Sequence, residues 1–470
     1  MTIYLKQLNE LWGEAVYSLK PNFSSPIGPV CTDSREVVEG SFFVPLIGER
    51  FNGHNFLLNA FEAGAKAAVV STKFSTKVPK GCLHWLVEDT LEAYQQLALL
   101  HRDNLGSPVI AVTGSTGKTT TRELIRGVLH PLGSIASSFG NNNNDVGVPF
   151  TLLQSNKKDA AIVVEMGMRG LGEIKRLSRC AQPDIAVITN IGTAHIGRLG
   201  SRENIAMAKC EITYSLKPNG LVVIPANDPL LEETLSNCWK GRVIRVSLTE
   251  TQLSGDDPVT QKETPRDFSV GLLGVLNLQK GFVNVNGQKF LLPFEGKHNA
   301  MNFMLALAVA KELGVSFEDL KDINVKVPWG RSQRFTLGGI TFLDETYNSS
   351  PESVRASIEL LVSKSGRHFA VLGSMHELGK YSIPLHEKIA ELAVDVKLDG
   401  LVIVAQGEEA EAMAVIAKQL SRMAVVSTPQ EALKYLYLWL RPGDIVLIKA
   451  SRAVKLEKLI PSLTKYFSQT

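Results

Sequence analysis

Four apolar runs in the middle of the chain, within "PVIAVTG", "AAIVVEMG", "PDIAVITNIG" and "NGLVVIPAND", constrain the fold more than any other feature. Each is almost continuously apolar, and helical patterns lie between them. Strands that are apolar on both faces are buried on both faces. Their alternation with helices is the pattern of a parallel sheet covered on each side. The first run leads directly into "STGKTTTRE", so a strand, a glycine-bearing turn and a helix follow in order.

That order is the setting of a phosphate-binding loop, G-x-x-x-x-G-K-[ST], in which backbone N–H groups at a helix N-terminus receive phosphate oxygens. Gly117-Lys118-Thr119 is intact and Gly114 adds a second flexible point, but Val112 stands where the first glycine belongs. Lys118 is placed to reach the outer phosphates and the Thr119 hydroxyl to ligate magnesium. A strand-end carboxylate completes such a site, and Glu165 ends the run "AAIVVE". His195 in "IGTAHIGRLGS" follows another strand, where loops carry chemistry in parallel sheets. By residue type alone it reads equally as a structural histidine. Lys209 in "AMAKCEI" reads, by itself, as a solvated helix lysine.

The flanks suggest two further units, and a chain of 470 residues suits about three domains. Before the turn Gly106-Ser107-Pro108 come short strands ("GSFFVPLIG", "AKAAVVST", "LHWLVED") and a helix in "TLEAYQQLALLHRDNL". After the fourth central run, the polar stretch "TETQLSGDDPVTQKETPRDFS" reads as a surface loop or insertion, and strand-like text follows it. A helix in "NAMNFMLALAVAKELG" closes the unit at Gly314. From about Val327-Pro328-Trp329-Gly330 onward, strands and helices alternate again. The expected fold is therefore α/β with three domains. These are a smaller N-terminal α/β domain over residues 1–105, a central P-loop parallel-sheet ATPase domain over 106–328, and a C-terminal Rossmann-like α/β domain over 329–470.

A net charge of +3 gives no basis for a nucleic-acid or membrane-surface partner. Cys31, Cys82, Cys180, Cys210 and Cys238 lack metal or disulfide spacing and suit reduced thiols. The N-terminal text has no signal-peptide pattern, and no apolar run approaches the roughly 20 residues of a membrane helix. A cytoplasmic protein without membrane insertion is expected.

The blocks "VTGSTGKTT", "GNNNNDVGVPFTLL", "VEMGMRG", "TNIGTAHIGRLGS", "AKCEI", "GKHNAMN", "GRSQRF", "LDETYNSSPES" and "LGSMHELG" occur in this order. Together they resemble the Mur ligase family, ATP-dependent amide ligases of peptidoglycan precursor synthesis, whose loop also lacks the first glycine. The resemblance implies a monomer that uses ATP with two magnesium ions. Its N-terminal text with "TYNSSPES" and "MHELG" further implies joining of D-Ala-D-Ala to UDP-N-acetylmuramoyl-tripeptide (UDP-MurNAc-tripeptide). A sibling ligase, a folate polyglutamylating enzyme or a P-loop switch ATPase are the competing readings.

Residue by residue, the resemblance implies that Gly114, Ser115, Thr116, Gly117, Lys118, Thr119 and Thr120 cradle ATP. Asn299 and Asn302 lie by its adenine, and Arg334 and Asp344 close onto it from the third domain. Lys118, His195 and Lys209 are implied as catalytic. Thr119, Glu165, His195 and Lys209 as a carbamate are implied as magnesium ligands. Asn141, Asn143 and Asn144 lie by the sugar-peptide, and Ser34 and Arg35 by UDP. The family's "DDSYNANP" and "KGSR" read "DETYNSSP" and "KASR" here, so Glu345, Ser349, Ser350 and Ala450 depart from the pattern.

Overall fold

The computed structural model describes residues 2–250, 270–320, 323–327 and 329–468. Among the described residues there are three sheets, which follow one another along the chain. The first has four parallel strands, Val30–Cys31, Phe42–Phe43, Ala67–Ser71 and Leu83–Val87, in sequence order.

The central sheet has nine strands. Seven are parallel, in the order Leu272–Asn277, Arg242–Glu250, Leu221–Pro225, Ile185–Ile188, Val109–Thr113, Asp159–Glu165 and Ser134–Ser137. The strand-like text beyond the polar stretch extends this sheet through two antiparallel strands, Phe282–Val285 and Gln288–Leu291. Burial on both faces is direct: Val109 and Ala111 enter one core, while Ile110 and Val112 enter the other. Val112 is thus a core residue at the end of a strand. Of the stretch expected as a surface loop, Thr249 and Glu250 finish the strand Arg242–Glu250, and the rest lies outside the described residues.

The helix Lys297–Glu312 covers one face of this sheet and packs on the phosphate-loop helix Lys118–Val128. It is followed by Gly314 at φ 78°, the left-handed residue expected to stop it. The third sheet runs Gln333–Leu337, Ile340–Asp344, Ile445–Lys449, His368–Gly373, Gly400–Val404 and Met423–Val426, with only the first pair antiparallel. Gln333–Leu337 is half-buried and polar at several positions, so its sequence carries little strand signal.

Two seams join these bodies. The helix Thr90–Asp103 packs on both the first sheet and the central domain. Its buried Arg102 donates to the carbonyls of Ala181 (3.0 Å) and Gln182 (2.9 Å) and to Asp184 (2.8 Å). At the other seam, loops of the third domain rest on the loop that follows Ile185–Ile188. This puts the third domain against the carboxyl ends of the central strands, where parallel sheets hold their ligands.

Candidate active site

Strand register brings the site together. Val112 pairs with Glu165, and Thr113 with Ile188, so the loops leaving three strands emerge side by side. The loop of residues 114–117 is braced by its neighbour. Asn190 receives the Ser115 N–H at its carbonyl and the Thr116 N–H at Oδ1, both at 3.1 Å. Thr189 donates to the Thr116 carbonyl at 2.5 Å, and the Gly192 N–H donates to Ser115 Oγ at 2.9 Å. Both loop glycines are required. Gly114 has φ 148°, and a Cβ there would lie 1.9 Å from Thr189 Oγ1. Gly117 has φ 79°, and its Cβ would lie 2.8 Å from Asn302 Oδ1. Asn302 therefore sits directly over the loop.

Lys118 opens the helix and donates to the Gly114 carbonyl at 2.8 Å. Burial lowers its pKa, Glu165 works against that shift, and Arg331 of the third domain adds to it. Thr119 donates to Glu165 Oε2 at 2.9 Å, and Thr120 is buried beside it in the first turn. Glu165 also receives Asn143 Nδ2 at 2.9 Å on Oε1 and Arg122 Nη1 at 3.2 Å on Oε2. Arg122 lies one turn beyond Lys118 and reaches the Gly140 carbonyl at 3.1 Å as well. The asparagine loop, the phosphate loop and the strand-end carboxylate are thus one network. Arg122 was not singled out from the sequence, where an arginine in a polar run gives no sign of burial.

Lys209 corrects the expectation of a solvated helix lysine: it is fully buried, and its Nζ has no hydrogen-bond partner. The reason is helix packing. Ile205, Ala206, Ala208 and Cys210 are buried as well, so this helix lies inside the domain. Burial drives the Lys209 pKa well below its ordinary value. Lys118 acts the same way, and Glu173, Glu165 and Glu211 oppose it.

His195 is half-buried and left-handed at φ 67°. Its Nδ1 meets Glu377 Oε2 of the third domain. Burial lowers the imidazole pKa, Glu377 pulls against this, and Lys209 and Lys118 push with it. Beside His195, the Thr193 N–H donates to Glu352 Oε1 at 2.7 Å. Thr193 Oγ1, Ser349 Oγ and Glu352 Oε2 are buried without partners. This seam holds polar groups that the folded chain alone does not satisfy.

The third domain also reaches the far side of the loop. Asn299 donates to Ser332 Oγ at 3.2 Å. Arg334 lies 3.4 Å from Glu295 and 3.3 Å from Glu345. Asp344 is buried, receives the Thr346 hydroxyl at 2.7 Å, and is raised in pKa by burial. Tyr347 donates to Asn141 across the seam. Asn144 Oδ1 receives the Gly147 N–H at 2.9 Å, just ahead of the helix Gly147–Gln154. The departures at 345, 350 and 450 fit locally. Glu345 accepts the Ser332 N–H at 3.1 Å, Ser350 caps the helix Pro351–Val362, and Ala450 is a buried packing residue.

Ser34 and Arg35 stand apart from this assembly. Arg35 is 86% exposed and forks onto Asp33, whose carboxyl it holds down to about 2. Among the described residues, no three His, Cys, Asp or Glu side chains converge as a metal cluster. All five cysteines are free of disulfides.

Residues 112–310 match the Mur ligase middle domain, and residues 330–452 match the Mur ligase glutamate ligase domain. The UDP-N-acetylmuramoyl-tripeptide–D-alanyl-D-alanine ligase of Synechocystis is 37% identical over 440 residues, which span 93% of this chain and 92% of that protein. MurF from Acinetobacter baumannii superposes with a TM-score of 0.82 at 30% identity, covering 98% of this chain and 99% of that one. MurF ligase from Thermotoga maritima in complex with ADP gives 0.79 at 30% identity, covering 94% and 98%.

Proposed function

For a chain that belongs to the Mur ligase family, we propose one reaction: ATP-dependent joining of D-Ala-D-Ala to UDP-MurNAc-tripeptide. It yields the UDP-linked pentapeptide, ADP and phosphate. The observation that carries the chemistry is the buried, unpartnered Lys209 inside the central domain, close enough to Lys118 and Glu165 to feel their charges.

The tripeptide's terminal carboxylate oxygen attacks the γ-phosphorus of ATP, forming an acyl phosphate as the bond to ADP breaks. The neutral amine of D-Ala-D-Ala then attacks the acyl carbon. Phosphate leaves, and the amine nitrogen gives up a proton as the amide forms. The barrier to the first step is repulsion between two anions. Lys118 offsets it from within a dry site, where a charge acts strongly. Docking of the third domain onto the loop after Ile185–Ile188 excludes water, which would hydrolyse the acyl phosphate.

Thr119, Glu165, His195 and Lys209 as a carbamate are the residues that would hold two magnesium ions, whose chemistry there is to screen the triphosphate from the carboxylate. Lys209 fits that role. Carbon dioxide adds to a neutral amine with loss of a proton, and burial favours the neutral form. The product is an anion where an ammonium would repel a metal.

Asn299 and Asn302 hold adenine, with Gly114, Ser115, Thr116, Gly117 and Thr120 shaping the phosphate cradle. Arg334 and Asp344 close onto ATP from the third domain. Asn141, Asn143 and Asn144 position the peptide end, and Ser34 and Arg35 bind the UDP end. Residues 1–105, 106–328 and 329–470 act respectively as UDP-sugar, ATP and amine-substrate domains. The protein works as a cytoplasmic monomer in wall precursor synthesis, and so in cell shape and division.

Phosphate release from ATP and UDP-MurNAc-tripeptide should depend on D-Ala-D-Ala and be at least about tenfold slower with single amino acids. Mass spectrometry should find the pentapeptide product. A product carrying a single amino acid would point to a sibling ligase, and hydrolysis without any amine to a switch ATPase; either rejects the reading.

A further inference from the structure

We propose that Glu377, supplied by the third domain, is a positioning residue for His195 of the central domain. The imidazole is then set in its working orientation only when the two domains are docked. The inference rests on the reading above of His195 as part of the reaction centre.

Glu377 Oε2 is the group that His195 Nδ1 meets, as an ion-pair approach outside regular hydrogen-bond geometry, and Nδ1 has no hydrogen-bond partner among the described residues. The contact is one of several on the same short segment. The Glu377 carbonyl accepts the Gly197 N–H at 3.0 Å. Its second carboxylate oxygen lies 3.8 Å from Arg198 Nε. Tyr381 donates to the Gly200 carbonyl at 3.0 Å. The two backbones touch: a Cβ on Gly197 would lie 2.5 Å from Gly379 N, and one on Gly379 would lie 2.8 Å from Gly197 Cα.

His195 and Glu377 are both left-handed, at φ 67° and 63°. For residues other than glycine that conformation costs on the order of 1 kcal/mol or more, and it persists where surroundings over-determine it, often at functional sites. Two such residues face one another across a domain seam.

The chemistry of the pair gives it a purpose. A neutral imidazole carries one proton on two nitrogens. A carboxylate at Nδ1 keeps the proton there and leaves the Nε2 lone pair for a metal or a proton. An ion pair that served only to fasten the domains would not need the histidine, because Arg198 stands next to it on the same turn. Fastening and positioning therefore predict different outcomes when Glu377 is changed.

The full-length protein, labelled with 15N-histidine and free of metal and nucleotide, reads the ring directly. His195→Asn identifies the signal. Wild type should show Nδ1 protonated and Nε2 not. Glu377→Ala should give a mixture of tautomers, and Glu377→Gln should keep the wild-type pattern because its amide oxygen still accepts. In turnover, Glu377→Ala should lower kcat about 10- to 100-fold while KM for ATP stays within about twofold, with Glu377→Gln recovering part of the loss. An unchanged His195 spectrum in Glu377→Ala, equal losses in both variants, or a raised KM for ATP in place of a lowered kcat would overturn the proposal. Full activity of His195→Asn would instead remove the premise about His195, while the ring signal still reports whether the pairing exists.

Discussion

Arg122, Glu165 and Lys209 are buried in the central domain with half-buried Lys118 beside them, whereas Asp33 and Arg35 of the first domain meet at the surface with Arg35 86% exposed. Both places carry residues expected to touch a substrate, yet they treat charge in opposite ways. A buried ionisable group is costly unless paired or neutral. The centre meets that condition three times at Glu165, through Thr119, Asn143 and Arg122. It leaves Lys209 with no partner at all. The folded chain there is incomplete in a chemical sense, and the missing partner is informative about what binds. Asp33 and Arg35 satisfy one another in water, so their geometry is equally consistent with a surface ion pair that binds nothing. A buried unpaired group speaks through structure; an exposed paired one speaks only through its sequence motif.

The sharpest way to break this contrast is Lys209→Ala. Loss of one preorganised electrostatic group should lower kcat by about 10²- to 10³-fold. A short carboxylic acid added to the mutant should restore part of the rate, since it replaces the carbamate's oxygens. Wild type supplied with 13C-bicarbonate should show a carbamate resonance that the mutant lacks. Full activity of Lys209→Ala without rescue would mean that the buried amine is a passive core residue, and the contrast would fail at its strong end.

Arg35→Ala probes the weak end with a smaller effect. KM for UDP-MurNAc-tripeptide should rise about 3- to 10-fold with kcat nearly unchanged, because a group that binds the distant UDP end contributes equally to ground and transition states. The apparent Tm should not move, since an exposed ion pair is screened by water. An unchanged KM would leave the surface pair without a role in binding.

The same difference explains what was legible in the sequence. Alternating apolar strands and helices are a local signal, and the runs at 109–113, 159–165, 185–188 and 221–225 all form mutually parallel strands of one sheet. Val112 also made sense from its own run, as the buried end of a strand. Glu165 ends its strand as expected and lies opposite Val112. What depends on the packing of distant elements was not legible. The text "AMAKCEI" does not say that its helix is enclosed, so Lys209 read as solvated. Arg122 was not singled out, because a polar run does not say that one of its side chains is enclosed. Glu377 lies in a segment without helical or strand period, and only domain docking brings it to His195. Half-exposed Gln333–Leu337 lacks the apolar alternation that would mark a strand.

Lys449, a buried cation of the third domain, tests through stability whether charge enclosed by the protein is costly. It is buried at the end of the strand Ile445–Lys449, with Nζ donating to the Asn348 carbonyl at 3.0 Å. Burial lowers its pKa to about 8, Glu345 and Asp344 oppose that shift, and Arg331 adds to it. The folded state therefore binds the proton less tightly than the unfolded chain. Below pH 8 the lysine is charged in both states and the penalty is present in full. As pH rises from 8 towards the ordinary lysine range, the folded protein sheds the proton first and stability is regained. Lys449→Met removes the charge while keeping most of the volume. At pH 7 it should raise stability by about 1–3 kcal/mol, the lost hydrogen bond offsetting part of the gain. The gap in apparent Tm between mutant and wild type should narrow from pH 8 to 10. A mutant less stable than wild type at pH 7 would show that Glu345, Asp344 and Asn348 more than compensate the buried ammonium. The interior would then hold a paired charge as comfortably as the surface does, and the contrast between buried and exposed charge would rest on the unpaired Lys209 alone.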